Sequence, residues 1–305
     1  MLAIQTQKLS KTFGRGDKQV QALKNMDLEV PTGQVFGFLG PNGAGKTTTI
    51  RVLMNLIRPT EGRASIFGQD VQTERQVLKK VGAMVENPAF YGYMNGRENL
   101  IVLARTAGVY DPEWIEVLLK EVGLGKNANR PVKGYSLGMK QRLGIAAAML
   151  NDPELVLLDE PTNGLDPAGI QEMRGFIRGL AEKYEKTVFI CSHLLYEVEQ
   201  VCDQVAIINK GEIIQQGMVK DLLTAEQTDL RLLVSPQQKA IELLQSKLRM
   251  KIDHEWLTTS VPPKHVPNLV KYLVGQGIEI HQVVQKQQSL EEYFIAITQQ
   301  EADNV

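Results

Sequence analysis

Apolar positions come in short runs broken by turn residues along the first third of the chain. LAIQTQ (2–7), VQAL (20–23) and MDLEV (26–30) read as short strands, with a Gly-Arg-Gly-Asp turn at 14–17. QVFGFLG (34–40) is a mostly apolar strand that runs straight into a glycine-rich loop. TTTIRVLMNLI (47–57) then has helical spacing, with Pro59 and Gly62 as its stop. ASIF (64–67) and VGAMV (81–85) are further short strands.

From about residue 97 to 151 the pattern is helical, and Asp111-Pro112 supplies an N-cap and first-turn pair for PEWIEVLLKEVG. Strands return as LVLL (155–158), TVFI (187–190) and VAIIN (205–209), separated by helical segments at 168–183 and 194–201. Apolar strands alternating with helices predict a largely parallel sheet buried on both faces. The helical block breaks that alternation, so it reads as a subdomain of about 87–152 inserted into an α/β core. GEIIQQG (211–217) and MVKDLL (218–223) close the core as a hairpin strand and a last helix. Near Thr224 the character changes. The remainder, 223–305, alternates strands and helices in the order of a small α+β appendage, ferredoxin-like in its sequence of elements.

Composition narrows the function classes. The chain has 305 residues, 43% hydrophobic and 23% charged, which excludes disordered and fibrous architectures. A net charge of −1 lacks the basic footprint of a nucleic-acid binder. Two cysteines, Cys191 and Cys202, make no disulfide framework and have no metal-ligand spacing, so they read as reduced, buried thiols of a cytosolic protein. No apolar run approaches the ~18 residues of a membrane helix, and the first residues have no signal-peptide core. Any membrane role is expected to come through a partner.

Three motifs carry chemistry. Gly40-Pro41-Asn42-Gly43-Ala44-Gly45-Lys46-Thr47-Thr48 follows a strand and opens a helix. Glycines let backbone N–H groups fold into a nest around phosphate oxygens, and the helix N-terminus adds the positive end of its dipole. Lys46 then reaches the β- and γ-phosphates, and the Thr47 hydroxyl ligates Mg²⁺. The second motif, Leu155-Val156-Leu157-Leu158-Asp159-Glu160, delivers two carboxylates at the C-terminal end of a buried strand, where α/β sheets bind ligands. Asp159 is placed to hold Mg²⁺ through its water shell and Glu160 to orient or deprotonate the attacking water. The third, Tyr135-Ser136-Leu137-Gly138-Met139-Lys140-Gln141-Arg142, opens a helix with Ser136 as N-cap.

With these motifs in this order, residues 2–222 resemble an ATP-binding cassette (ABC) ATPase, a P-loop NTPase fold with an N-terminal antiparallel part. Ser136-x-Gly138 stands where the family has Leu-Ser-Gly-Gly-Gln, the signature that binds the γ-phosphate of ATP held by the opposite subunit; Tyr135, Leu137 and Met139 depart from it. The resemblance gives Phe13 the place of the aromatic that stacks on adenine, though a core phenylalanine is the plainer alternative. It gives Gly164-Leu165-Asp166-Pro167 that of the D-loop at the dimer interface, and His193 that of the switch histidine at the γ-phosphate. Glu86 stands where most members have Gln, near catalysis and Mg²⁺, as a reporter of bound Mg-ATP or as neutral variation. The tail Ser289-Leu290-Glu291-Glu292-Tyr293-Phe294, the Glu86-Asn87-Pro88 stretch and the signature together resemble the bacitracin- and daunorubicin-resistance ATPases.

That resemblance implies an ATP- and Mg²⁺-dependent subunit on the inner face of the cell membrane. It would pair head to tail with a second nucleotide-binding subunit and power export of an antibiotic or peptide through a separate membrane permease. Phe90, Tyr91 and Tyr93, within 88–99, are expected to line the cleft that receives the permease, ordinary packing being the alternative. An importer or ion-exporter subunit shares the same motifs. A soluble translation or repair ATPase is a further alternative, though the two cassettes usual in translation types and the long coiled coil of repair types are both missing from the sequence.

Overall fold

The computed structural model describes residues 1–85, 89–223, 228–245, 248–286 and 289–303. Its chain forms two compact units, Met1–Val219 and Lys220–Val305.

The first unit opens with β1 (Leu2–Phe13) and β2 (Val20–Pro31), a long antiparallel hairpin. Both strands run past the apolar segments that predict them, because pairing continues through polar residues across several register shifts. β3 (Val35–Leu39) leads through the glycine-rich loop into α1 (Lys46–Leu53). This helix stops four residues before the expected Ile57. Met54 caps it and Asn55 turns left-handed at φ 54°, a conformation asparagine tolerates better than most residues. β4 (Glu61–Ile66) and β5 (Gln69–Asp70) complete a four-stranded antiparallel sheet in the order β2-β1-β4-β5.

β6 (Val81–Met84) begins the passage into the helical block: α2 (Gly96–Ala107), α3 (Pro112–Glu121) and α4 (Leu137–Ala148). Each helix has the N-cap its sequence offers. Asn95 and Glu98 form a capping box, Asp111 accepts from Glu113 and Trp114 amides ahead of Pro112, and Ser136 accepts from Met139 N. β7 (Leu155–Asp159), α5 (Pro167–Glu182), β8 (Thr187–Ser192), α6 (Leu195–Val201), β9 (Gln204–Asn209) and β10 (Glu212–Met218) follow.

The second sheet runs β10-β9-β3-β8-β7-β6, parallel except for β10. β3, β7 and β8 are buried at every position, as their unbroken apolar runs require of strands covered on both faces. Phe36, Phe38 and Phe189 fill the centre, with Phe36 stacked on Phe189 at 5.9 Å between ring centroids. Each contributes roughly 1.5–3 kcal/mol of burial. The order places the glycine-rich loop after β3, His193 just past the end of adjacent β8, and Glu160 just past the end of β7 beyond it. All three lie on one edge of the sheet.

The second unit contains α7 (Val219–Leu223) apart from its first residue, then β11 (Thr228–Ser235), α8 (Gln237–Leu244), β12 (Met250–Asp253), β13 (Trp256–Val261), α9 (Val266–Gly275), β14 (Glu279–Lys286) and α10 (Leu290–Asp303). Its sheet is antiparallel throughout in the order β12-β13-β11-β14. That is the split βαββαβ arrangement of a ferredoxin-like fold. Leu230, Leu232 and Leu257 form its core with Leu244 of α8 and Leu273 of α9. Among the described residues no helix is long and apolar enough to cross a membrane.

Candidate functional site

A cavity of about 360 Å³ opens where the glycine-rich loop and the end of β7 meet. Asn42, Gly43, Gly45, Lys46, Thr47 and Thr48 line one wall, and Asp159, Glu160 and Asn163 the other. Gly40, Pro41 and Ala44 build the frame of the loop rather than its lining, and Ala44 N donates to Pro41 O across a 3.1 Å turn. Gly45 is the residue before α1 and has φ 115°. A side chain there would be strained, and its Cβ would stand 2.7 Å from Ala22 O.

Lys46 is only 6% exposed. Its Nζ donates to Gly40 O at 2.7 Å and Pro41 O at 3.3 Å, and pairs with Glu160 Oε1 at 3.4 Å. The ammonium is thereby held over the loop, at the mouth of the α1 N-terminus, where phosphate oxygens would replace carbonyls as acceptors. Thr47 Oγ1 donates to Asp159 Oδ2 at 2.9 Å. A hydroxyl and a carboxylate side by side beside a phosphate nest are the hard-oxygen set that Mg²⁺ takes, with water and phosphate oxygens completing its shell. The residues present therefore fit the ion.

Glu160 follows β7 with φ 50°, a left-handed turn rare outside glycine and often found at functional sites. Its amide donates to Cys191 O at 3.0 Å and its carbonyl accepts from Asn163 N at 3.1 Å, which fixes the turn. The carboxylate then faces both Lys46 and His193, whose Nδ1 is 2.8 Å from Glu160 Oε2. Cys191, paired with Asp159 in the sheet, is fully buried, and burial followed by the Asp159 charge pushes its thiol well above the ordinary range.

A glycine-rich loop at a helix N-terminus, a hydroxyl–carboxylate pair and a carboxylate beside a histidine are the groups that nucleotide hydrolysis requires in one place. Similarity to known proteins agrees with this geometry. A family model described as ABC transporter matches residues 23–163. The bacitracin transport ATP-binding protein BcrA of Bacillus licheniformis is 39% identical over 300 residues, covering 96% of each chain. The chain belongs to the ABC transporter ATP-binding proteins. As a member of that family it is an ATPase coupled to transmembrane transport. BcrA of Enterococcus faecalis is 35% identical over 95% of this chain and 94% of its own. The lantibiotic transport ATP-binding protein SrtF of Streptococcus pyogenes is 42% identical over 69% and 89%. Among solved structures, an ATP-binding cassette described as a dimer bound to ADP and Pi superposes with a TM-score of 0.64 at 24% identity. It covers 71% of this chain and 98% of its own, a likeness of fold.

Ser136 and Gly138 lie outside the cavity. Ser136 is exposed and its Oγ accepts from Met139 N at 3.3 Å, and Gly138 follows it at the head of α4. Tyr135 is buried, its hydroxyl donates to Asn127 O at 2.7 Å, and burial raises its pKa. Leu137, 44% exposed, lies against Gly164, where an added Cβ would meet Leu137 Cδ2 at 2.6 Å. Gly164 also has φ 74°, so bulk and backbone both demand glycine. Asp166 caps α5 by accepting from Gly169 N at 2.9 Å.

Phe13 does not line the cavity. It ends β1 at 40% exposure with Lys11 Nζ 5.0 Å above its ring, and Ala22 of β2 lines the cavity instead. Glu86 lies outside the described residues, as do Asn87 and Pro88. Of the expected cleft aromatics, Phe90 lines a groove of about 860 Å³ with Leu78 and Val85 on the core side and Leu103, Val109 and Ala147 on the helical side. Tyr91 and Tyr93 stand outside that lining, exposed, with ring centroids 6.0 Å apart. Asn99 is buried and commits its side chain to the Tyr91 and Asn95 backbone. The sequence reading missed Ala22, Asn163 and Gln141 as lining residues; for Gln141 the available signal was an amide within the apolar face of a helix.

Proposed function

We propose that this chain is the ATP-hydrolysing engine of an exporter that removes an antibiotic or similar peptide through a separate membrane permease. The observation that carries the reading is its likeness to a bacitracin transport ATP-binding protein along 96% of both chains, appendage included. In this reading residues 1–222 form the nucleotide-binding domain, 87–152 its helical subdomain, and 223–305 an accessory domain.

ATP lies with its phosphates on the amides of 42–48. Lys46 exchanges its carbonyl and Glu160 contacts for β- and γ-phosphate oxygens. Thr47 and Asp159 hold Mg²⁺, which when bound neutralises charge on those phosphates. Glu160, released from Lys46, accepts the proton of the attacking water, and His193 keeps its carboxylate turned toward that water. One chain presents one phosphate loop and one exposed signature. Two copies therefore pair head to tail, with Ser136, Gly138 and the α4 N-terminus closing on the partner's γ-phosphate, and Phe13 offering its exposed ring to adenine. The groove beside Phe90 receives the permease, which holds the pair at the inner face of the membrane.

Cells carrying this chain with its cognate permease should tolerate more bacitracin-like peptide than cells lacking either. Glu160→Gln should abolish the gain. Equal sensitivity with and without an active chain would contradict the export reading.

A further inference from the structure

Gln141 is a polar residue where packing alone asks for none. It lies in α4, five residues past Ser136, and is 4% exposed. Leu143, Gly144, Ile145 and Ala146 of the same helix are buried and apolar. Its side chain lines the cavity that also holds Lys46, Thr47, Asp159 and Glu160. Its Oε1 is buried without a hydrogen-bond partner among the described residues. A buried carbonyl oxygen without a donor is destabilising, so an apolar side chain of the same length would serve the helix better.

The chemistry of the cavity limits what completes that oxygen. A triphosphate and ionised carboxylates are acceptors only. The donors that line the cavity include the Asn42 and Asn163 amides, the Thr47 hydroxyl, directed at Asp159, and the Lys46 ammonium, directed at Gly40, Pro41 and Glu160; water is the donor that the bound assembly itself brings. We propose that Gln141 is a residue of the nucleotide site, its Oε1 accepting a hydrogen bond from a water molecule of the metal–triphosphate assembly in its own chain. The helix that presents Ser136 to the partner thereby also reports on occupancy at home. Nothing in the sequence motifs assigns Gln141 this contact; the inference rests on the ATP site proposed above and adds a group from the helical block to it.

The test uses the full chain with Gln141→Met, which keeps length and removes the amide. Without nucleotide, the variant should unfold at the wild-type temperature or above it, since an uncompensated polar atom has gone. With Mg-ATP its affinity, read by a fluorescent ATP analogue, should fall about 3- to 10-fold, the worth of one hydrogen bond. With the analogue in EDTA the loss should shrink if the water belongs to the metal and persist if it belongs to the phosphates; either supports the proposal. Unchanged Mg-ATP affinity overturns it, as does a several-degree loss of stability without nucleotide, which would make the amide a packing element. A wild-type chain that fails to bind Mg-ATP would overturn the ATP site itself, and the inference with it.

Discussion

His193 Nδ1 and Glu160 Oε2 stand 2.8 Å apart because β7 and β8 are neighbours in register, Asp159 opposite Cys191. One residue beyond the first strand and one beyond the second, the two side chains share the same edge of the sheet. Lys46 holds the other carboxylate oxygen at 3.4 Å. Glu160→Gln keeps the shape and removes the charge. Phosphate release should fall at least ~10²-fold while ATP binding persists. His193→Ala should lower kcat with little change in KM, and the double variant should be no slower than Glu160→Gln alone. Additive losses would mean that the histidine acts independently of the carboxylate.

Lys46→Ala removes the buried cation over the phosphate loop. Nucleotide affinity should drop about 10- to 100-fold, the worth of a hydrogen bond to a charged group. Titration with a fluorescent ATP analogue measures it. Affinity within two-fold of the wild type would displace Lys46 from the phosphates.

Gly164→Ala forces a Cβ to 2.6 Å from Leu137 Cδ2 and places alanine at φ 74°. Unfolding should become easier by about 1–3 kcal/mol. Leu137→Ala in the same chain should return the steric share and leave the backbone share, giving a coupling of about 0.5–1.5 kcal/mol in a denaturation cycle. Strict additivity would show that Leu137 and Gly164 do not touch.

Cys191 and Cys202 are both buried, and burial raises both thiol pKa values, with Asp159 and Asp203 respectively adding to the effect. A raised pKa lowers the thiolate fraction at any given pH. Iodoacetamide at pH 8 should leave the folded chain unmodified and label both residues after denaturation. Rapid labelling of the native chain would contradict the burial.

A chain ending at residue 222 retains every lining residue of the cavity around Lys46 and every strand of the two sheets in the first unit. It should fold and bind ATP with unchanged affinity. Aggregation or loss of binding would show that the appendage completes the cassette.

Much of this was legible in the chain because the informative residues are local. Strand, glycine loop and helix lie within 34–57, and β7 delivers its carboxylates directly, so spacing was enough to expect Lys46, Thr47, Asp159 and Glu160 together, and they line one cavity. The end of α1 was not legible, since Met54-Asn55 carries no strong stop and the left-handed turn at Asn55 depends on the tertiary fold. Gln141 was hidden for a different reason: it reaches the cavity from the helical block, and no sequence spacing connects it to Lys46. Which aromatics share the groove beside Phe90 was not legible either: Tyr91 and Tyr93 stand outside its lining, since proximity in sequence does not set which side chains share a groove.

The head-to-tail pair is the centre of the account, and sedimentation velocity of Glu160→Gln with saturating Mg-ATP tests it most directly. The variant should sediment as a dimer with ATP and as a monomer without it. Adding Ser136→Asp keeps an N-cap on α4 but turns a negative charge toward the partner's γ-phosphate. That double variant should still bind ATP and remain a monomer. A monomer from Glu160→Gln alone, or a dimer that persists with Ser136→Asp, would contradict a site shared between two chains.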